Sequence, residues 1–262
     1  MNSWLFPPAT REVQFDEKWS FVGKKEKHCD RNDKADDNSG DCWDHVALDP
    51  ESRLLVSLVV GRRTEEHTQL LVEDFHRRTG GRVMNLMTSD ENPAYAKAIL
   101  EVYGEVVQPR RTGRPGRPRQ PYKRPPKKLV YATVHKTRRK NRVVKVEGRL
   151  IYGTAILLAA ALLLSLVSEN VTTVFVERHN GSDRHRNSRK ARKTYRFSKD
   201  WEVHESMTYF TMYHANFCCP VRTLREKDEE GKWQQRTPAM AAGLADHVWT
   251  ISEWLSMPSV QR

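Results

Sequence analysis

Apolar and polar side chains alternate most clearly near the start of the chain, over residues 13–22. A period of two residues predicts a β-strand, because successive side chains of a strand point to opposite faces of the sheet. The two faces carry different residues: Phe15, Glu17, Trp19 and Phe21 on one, and Gln14, Asp16, Lys18 and Ser20 on the other. Burying an Asp at the centre of such a strand is costly unless the Asp is paired or binds a metal. Asp16 is therefore a candidate functional residue.

Two more strands and a helix are predicted to follow. Residues 43–48 and 54–60 have the composition of strands and are joined at Pro50. Thr64 is a good helix N-cap, and the apolar residues that follow it at helical spacing predict a helix that ends at the glycine pair of residues 80–81.

The next segment predicts a short buried strand and a second helix. The strand covers residues 83–87, and Asp90 follows it. Pro93 is typical of a first helical position, so residues 94–103 are predicted to be helical. The predicted order of elements resembles that of an RNase H-like domain: three strands, then a helix, a strand and a second helix. Asp90 would then lie just beyond the carboxyl end of a strand, where open α/β sheets bind their ligands.

Residues 150–167 contain no charged side chain. Eighteen uncharged residues reach the lower limit for a membrane-spanning helix. The densest part, residues 155–164, is however only ten residues long. We therefore expect a buried core helix packed on the sheet, and no membrane contact.

The stretch 173–199 has the most distinctive chemistry in the chain. Three apolar residues lead to Glu177, and from Arg178 to Lys199 there are nine Lys or Arg residues against one acid, Asp183. On a helix, Arg184 lies two turns from Glu177 on the same face. A carboxylate beside a guanidinium suits a metal-bound phosphodiester; an ordinary basic surface helix is the alternative.

Several elements are predicted around this stretch. Residues 129–134 and 142–146 form a hairpin with a basic tip. Ser198 caps a helix that ends at Pro220, and a last amphipathic helix begins at Thr237 and runs through Trp254.

Positive charge is unevenly distributed. The chain of 262 residues has a formal net charge of +12, and residues 108–149 contain sixteen Lys or Arg and one acid, Glu147. A basic segment on a nearly neutral body predicts binding to a polyanion, most simply DNA or RNA. Residues 108–128 are rich in Pro, Arg and Gly and cannot bury a core. They resemble an AT-hook that enters the minor groove, or they are a basic linker that contacts phosphate without reading sequence.

Cysteine usage indicates a reducing compartment. None of the four cysteines has the spacing of a zinc ribbon. The first ten residues lack the pattern of a signal peptide. We expect a cytoplasmic protein associated with the nucleoid.

Three sequence blocks resemble DDE transposases of the insertion-sequence-one (InsB-like) type. The most specific is ERHN, followed by RKT and FSKD, in residues 177–200; QFDEKWSFVG at 14–23 and MTSDENPAYAKAI at 87–99 agree in order and spacing. The resemblance covers roughly residues 11–217. It implies an RNase H-like α/β fold, a mixed sheet flanked by helices, with a basic Pro/Arg-rich insertion and a helical C-terminal tail.

The resemblance also implies the catalytic residues. Asp16, Asp90 and Glu177 would be the metal-binding catalytic acids, with Asp16 bridging two Mg²⁺ (or Mn²⁺) ions. The reaction would be hydrolysis at a transposon end, followed by attack of the freed 3′ hydroxyl on target DNA. Glu91 is a credible substitute for Asp90. Glu17 is a weaker rival because strand alternation turns it to the opposite face, and nothing in the setting of Asp44 favours it.

DNA is the expected partner, together with further copies of the chain on that DNA. The candidate DNA contacts are basic residues beside the acids, in the insertion and at the hairpin tip: Arg184, Lys193, Arg114, Arg117, Arg119, Arg138, Arg139 and Lys140.

The sequence predicts a division into five regions: a leader (1–12), a first catalytic part (13–107), the basic insertion with its hairpin (108–149), a second catalytic part (150–217) and a helical tail (218–262). Members of the family carry a DNA-binding region before the first catalytic Asp, whereas Asp16 lies almost at the start. We expect that the chain is either the product of a downstream reading frame, normally fused by frameshifting to an upstream DNA-binding product, or a truncated remnant of a transposase. An inactive fragment that only binds DNA and a membrane-associated basic protein are the alternatives.

Overall fold

A computed structural model describes residues 10–30, 32–109 and 119–256. Its centre is a mixed sheet of six strands: β1 (Glu12–Val22), β2 (Gly40–Leu48), β3 (Leu55–Gly61), β4 (Leu86–Ser89), β7 (Tyr131–Arg139) and β8 (Arg142–Tyr152). The strand order is β3-β2-β1-β4-β7-β8. β1, β4 and β7 are parallel, whereas β2, β3 and β8 pair antiparallel with their neighbours.

Two short ribbons accompany the sheet. β5 (Glu105–Val107) pairs with β6 (Tyr122–Arg124), and β9 (Glu226–Lys227) pairs with β10 (Trp233–Gln234). The helices are α1 (Glu65–Arg78), α2 (Pro93–Tyr103), α3 (Ala155–Leu164), α4 (Val174–Arg186), α5 (Trp201–Cys218), α6 (Pro238–Ala241) and α7 (Ile251–Ser256).

Helices cover both faces of the sheet. On one face, Val13 and Phe15 of β1 pack in a cluster with Leu71 of α1 and Tyr95 of α2. On the other face, residues of β2 and β3 cluster with Val176 of α4 and Met212 of α5. The predicted α/β architecture, a mixed sheet flanked by helices, is confirmed.

Local signals in the sequence located α1 and α2 well. The Thr64 hydroxyl accepts a hydrogen bond from the backbone N–H of His67, as an N-cap should. Gly80 and Gly81 follow α1 with positive φ angles, 64° and 73°, a conformation that glycine adopts without steric penalty. Pro93 is the first residue of α2.

The predicted hairpin exists but belongs to the main sheet. β7 lies between β4 and β8, and Tyr131 to Val134 are buried. These residues are therefore part of the core rather than of a basic insertion of residues 108–149. β8 also runs further than expected, to Tyr152, so the uncharged stretch 150–167 begins as strand and not as helix.

The helix predicted over residues 155–164 is present as α3, but it is not buried. Only Ala161 is buried in it, whereas the exposed fractions of Ile156 and Leu163 are 81% and 87%. The expectation of a core helix is wrong because one side of α3 rests on Leu86 and Val130 while the other faces outward.

Two predictions for the C-terminal part also differ. The cap of α5 is Asp200, which accepts from the backbone N–H of Val203, rather than Ser198. The single amphipathic helix expected from Thr237 is two short helices, α6 and α7, because the chain turns at Gly243 with a φ of 72°.

Among the described residues, no helix combines the length and apolar character needed to cross a membrane.

Candidate active site

The register of β1 against β4 brings Asp16 and Asp90 together. Gln14 of β1 lies opposite Thr88 of β4 in a parallel pair, so the position two residues further on each strand is Asp16 on one side and Asp90 on the other. β4 ends at Ser89, so Asp90 is the first residue beyond the strand. The electrostatic interaction between the two carboxylates contributes to the raised pKa of Asp16.

Polar side chains of β1 hold α4 against the sheet. The side-chain oxygen of Gln14 accepts hydrogen bonds of 3.1 Å from the backbone N–H groups of Phe175 and Val176, which are otherwise unpaired at a helix start. Asn180 donates to Asp16 at 2.8 Å, and Lys18 forms a buried ion pair with Asp183. This row of contacts fixes Glu177, in the first turn of α4, near Asp16.

All three predicted acids line one open cleft of about 750 Å³. Its walls come from the middle of β1, the start of α1, the turn before α2, β7 and α4. The lining residues are Asp16, Arg63, Thr64, Glu65, Asp90, Glu91, Asn92, Pro93, Ala94, Val134, Lys136, Arg138 and Glu177.

Asp16 is the acid most perturbed by its surroundings. Burial raises the pKa of its carboxyl from 3.8 to about 7; the hydrogen bond from Asn180 partly offsets this rise, and Asp90 adds to it. Burial also raises the pKa of Asp90, against the stabilising hydrogen bond from the backbone N–H of Asn92. A cation placed between the two carboxylates would relieve both effects.

Glu177 has partners of its own. Its carboxylate accepts from the Thr173 hydroxyl at 2.5 Å and pairs with the ammonium of Lys136 from β7. The side chain of Glu177 is 44% exposed, towards the cleft. In the protein without a bound cation, the ammonium group of Lys136 therefore provides the positive charge next to Glu177.

The Asp16→Asn variant is expected to be more stable than the parent protein when divalent ions are chelated. The pKa of Asp16 is higher in the folded state, at about 7, than its ordinary value of 3.8. This group's contribution to stability is therefore fully present below pH about 4 and is lost as the pH rises to about 7. Above pH 7 the penalty is about 4 kcal/mol, at 1.36 kcal/mol per pKa unit, and asparagine removes it while still accepting from Asn180. Denaturant unfolding at pH 5 and pH 8 with EDTA measures the difference; equal stabilities at pH 8 would contradict the assignment.

The three rival acids occupy other settings. Glu17 points to the α1–α2 side, where it accepts from Asn92 at 2.8 Å and pairs with Arg63 at 3.1 Å, as strand alternation predicted. Glu91 lines the cleft but pairs with His135 and with Arg149. Asp44 is fully buried away from the cleft.

Asp44 also belongs to a group that could hold a metal, with Cys42 and His204. The two oxygens of Asp44 already accept from the single ammonium group of Lys190, at 2.8 and 2.6 Å, and one of them pairs with Lys18 at 3.0 Å. Both ring nitrogens of His204 are hydrogen-bonded to serines, Ser20 and Ser198. Two lysines beside the carboxylate disfavour a cation, so this group is a structural network.

The predicted DNA contacts divide into three sets. Arg138 lines the cleft, and Arg139 and Lys140 are exposed at the end of the same hairpin. Arg119, Arg184 and Lys193 are at least partly exposed but do not line the cleft. Arg114 and Arg117 lie outside the described residues.

Sequence reasoning missed two of the basic residues in the cleft. Arg63 directly precedes the α1 cap, and its position next to a helix N-terminus is the one sequence signal for an anion site there. Lys136 fell within the basic hairpin tip and was expected to contact phosphate only; its pairing with Glu177 depends on β7 lying in the main sheet, which the sequence did not reveal.

The donor set fits a hard divalent cation such as Mg²⁺. All three acids offer oxygen ligands, and burial disfavours charge on two of them in the absence of a cation. The side-chain oxygen of Asn180, next to Asp16, is buried without a hydrogen-bond partner among the described residues. An unpaired oxygen beside partly buried carboxylates suits a bound ion or one of its waters.

A scan of the sequence against models of known protein families finds no match, and a search of curated proteins finds none either.

Proposed function

We propose that the chain is the catalytic part of a DNA transposase with an RNase H-like fold, and that it cleaves and joins phosphodiester bonds with Mg²⁺ or Mn²⁺. The observation that carries this proposal is the convergence of Asp16, Asp90 and Glu177 on one cleft with a basic rim. These residues come from a strand, a strand end and a helix that are far apart in sequence.

The sheet topology supports the same proposal. A strand followed by two antiparallel neighbours on one side, and by parallel strands on the other, gives the order β3-β2-β1-β4-β7. This order is compatible with an RNase H-like fold. The candidate site lies at the carboxyl end of the parallel strand β4, where open α/β sheets bind ligands.

Seven side chains in and beside the cleft have roles in this proposal. The three carboxylates would hold the ions, and Asn180 orients Asp16 by donating to it. Divalent ions bound there would activate the attacking oxygen and stabilise the leaving oxygen. Arg63 and Arg138, which both line the cleft, would supply positive charge for the phosphates of the substrate strand. Lys136 pairs with Glu177 in the protein alone; if Glu177 bound a cation instead, Lys136 would be free to contact phosphate.

The resemblance of residues 11–217 to insertion-sequence-one transposases supports the choice of substrate. On that basis the proposed reaction is hydrolysis at an element end, followed by transfer of the freed 3′ hydroxyl to target DNA. A DNA-binding frame product upstream, as in that family, would supply recognition of the element ends.

The hairpin tip is expected to supply phosphate contacts. The triple variant Arg138→Ala, Arg139→Ala, Lys140→Ala should bind duplex DNA more weakly, and the slope of log K against log salt should become shallower by up to about 3, one unit per lost contact. Fluorescence anisotropy at several salt concentrations measures the slope. The matched control removes three exposed cations elsewhere, Arg77, Arg222 and Lys232. Equal slopes in the two variants would assign DNA binding to another surface.

The experiment that tests the proposal is cleavage of supercoiled plasmid by the purified chain. We expect nicking with Mg²⁺ or Mn²⁺, none with EDTA, and none in the variant Asp16→Ala, Asp90→Ala, Glu177→Ala. An anisotropy measurement on both proteins, without metal, verifies that DNA binding survives.

A DNA-binding protein without catalytic activity is the second candidate. The observation in its favour is that Glu177 is already satisfied by Lys136 and Thr173. If the parent protein and the variant without the three acids both bind DNA and neither cleaves it, DNA binding without catalysis is the function. Cleavage that persists in the variant Asp16→Ala, Asp90→Ala, Glu177→Ala would exclude these three acids as the catalytic site.

A further inference from the structure

The outer face of α3 is the most unusual surface of the molecule. Four large aliphatic side chains on α3 and just after it are strongly exposed: Ile156 (81%), Leu163 (87%), Leu164 (67%) and Leu166 (70%). Exposed aliphatic groups that lie together mark interaction sites in soluble proteins. The chain is otherwise highly polar, with 30% charged residues, so this surface stands apart from the rest.

The exposure follows from how α3 sits on the sheet. Leu157, Leu158, Ala161 and Leu162 pack towards Leu86 and Val130. The remaining positions of the helix form the opposite face: Ala155, Ile156, Ala159, Ala160, Leu163 and Leu164. Their spacing of three and four residues places them in one continuous stripe. α3 is therefore apolar all round, although only half of it is covered.

The charge distribution restricts the partner. Residues 150–168 contain no charged side chain, in a chain with a net charge of +12. DNA or RNA has no cation to pair with there. A helix of ten residues is about 15 Å long, about half the thickness of a hydrocarbon core, so α3 is too short to span a membrane. Because each copy of the chain carries a net positive charge, two copies repel one another electrostatically, but the uncharged surface of α3 does not contribute to that repulsion.

The pattern of side-chain sizes on the stripe is symmetric about its centre. Two small residues, Ala159 and Ala160, lie in the middle. Ile156 and Leu163 are large and lie at equal distances on either side. In an antiparallel pair of such helices, the alanines allow close approach at the centre, and Ile156 of one copy meets Leu163 of the other. A twofold interface requires a surface that is complementary to itself in this way.

We propose that α3 is the centre of a homodimer interface, in which the two α3 helices pack antiparallel about a twofold axis at Ala159 and Ala160. The interface does not involve the acidic cleft. It is therefore independent of the proposed catalytic function, and its test does not require cleavage.

The oligomeric state tests this proposal directly. Sedimentation velocity should give the mass of two chains for the parent protein and of one chain for the double variant Ile156→Gln, Leu163→Gln. The matched control, Val106→Gln with Leu255→Gln, changes two exposed aliphatic residues outside α3 (61% and 66% exposed) and should remain dimeric. Circular dichroism verifies that each variant is folded. A monomeric parent protein at tens of micromolar, including one that co-sediments with lipid vesicles, or a double variant that stays dimeric, would overturn the proposal.

Cross-linking tests the antiparallel arrangement. In a background with Cys29, Cys218 and Cys219 changed to serine, Ile156→Cys and Leu163→Cys proteins are prepared separately and then mixed. A short thiol cross-linker should join the two different variants, whereas each variant alone should give little product. Efficient cross-linking of each variant to itself would indicate parallel helices and would overturn the arrangement.

Discussion

Asp16→Asn and Glu177→Gln are each expected to lower the rate of metal-dependent DNA cleavage by about a thousandfold or more, because bound ions contribute several kcal/mol of transition-state stabilisation. Both substitutions keep the size of the side chain and remove one anionic oxygen donor. Both should leave duplex DNA binding without metal nearly unchanged, because removing an acid from the cleft does not weaken contacts to phosphate.

Two further variants sharpen this prediction. Glu91→Gln tests the nearest rival in the cleft; its pairing with His135 and Arg149 leads us to expect a loss of no more than about tenfold, since no ion is lost. Glu73→Gln, on the exposed side of α1, is the matched control and should behave like the parent protein. A thousandfold loss in Glu91→Gln, with activity retained in Asp16→Asn, would contradict the assignment. Single-turnover rates of nicking of supercoiled plasmid supply the comparison.

Lys18→Met is expected to destabilise the folded protein by about 3 to 5 kcal/mol, the range for removing one partner of a buried ion pair. Lys18 is fully buried in β1 and pairs with Asp183 of α4 and Asp44 of β2. Burial alone would raise the pKa of Asp44, but Lys190 and Lys18 outweigh burial and hold the pKa below its usual value. Without Lys18, buried Asp183 loses its salt-bridge partner, and among the described residues Lys190 is a remaining cation that interacts with it electrostatically.

A double-mutant cycle separates the ion pair from the loss of packing. Adding Asp183→Asn to Lys18→Met removes the unpaired charge and should recover much of the lost stability. The surface pair of Lys97 and Glu65, both about two-thirds exposed, is the control, and Lys97→Met should change stability by less than about 1 kcal/mol. Denaturant unfolding is measured for the parent protein, Lys18→Met, Asp183→Asn, the double variant and Lys97→Met. A Lys18→Met protein within about 1 kcal/mol of the parent would show that α4 is held by other contacts.

The sequence predicted those parts of the fold that depend on local signals. Alternation located β1, the Thr64 cap and the glycine pair bounded α1, and Pro93 opened α2. Asp16, Asp90 and Glu177 line a common cleft, as expected from their motifs. Each motif sits at an element end or in a regular strand, where short-range patterns are informative.

What the sequence did not reveal depends on contacts between distant segments. The polar face of β1 was expected to require pairing at Asp16 alone, yet Gln14, Lys18 and Ser20 are also buried, each with a partner more than twenty residues away. Composition also does not distinguish a buried apolar helix from an exposed one. The sequence of α3 is compatible with either setting, so its exposure could not be predicted. β7 appeared to belong to a basic hairpin because its outer half is basic; its inner half is a core strand.

Binding of Mn²⁺ by the chain alone, measured by isothermal titration calorimetry, tests the proposed metal site without the correct DNA or an upstream DNA-binding region. We expect saturable binding to the parent protein. Affinity should fall at least tenfold in Asp16→Asn and in Glu177→Gln, in the range for weakened metal coordination, and stay unchanged in Glu73→Gln. Binding that is absent from the folded parent protein, or equally strong in all four proteins, would contradict the claim that these acids form a metal site.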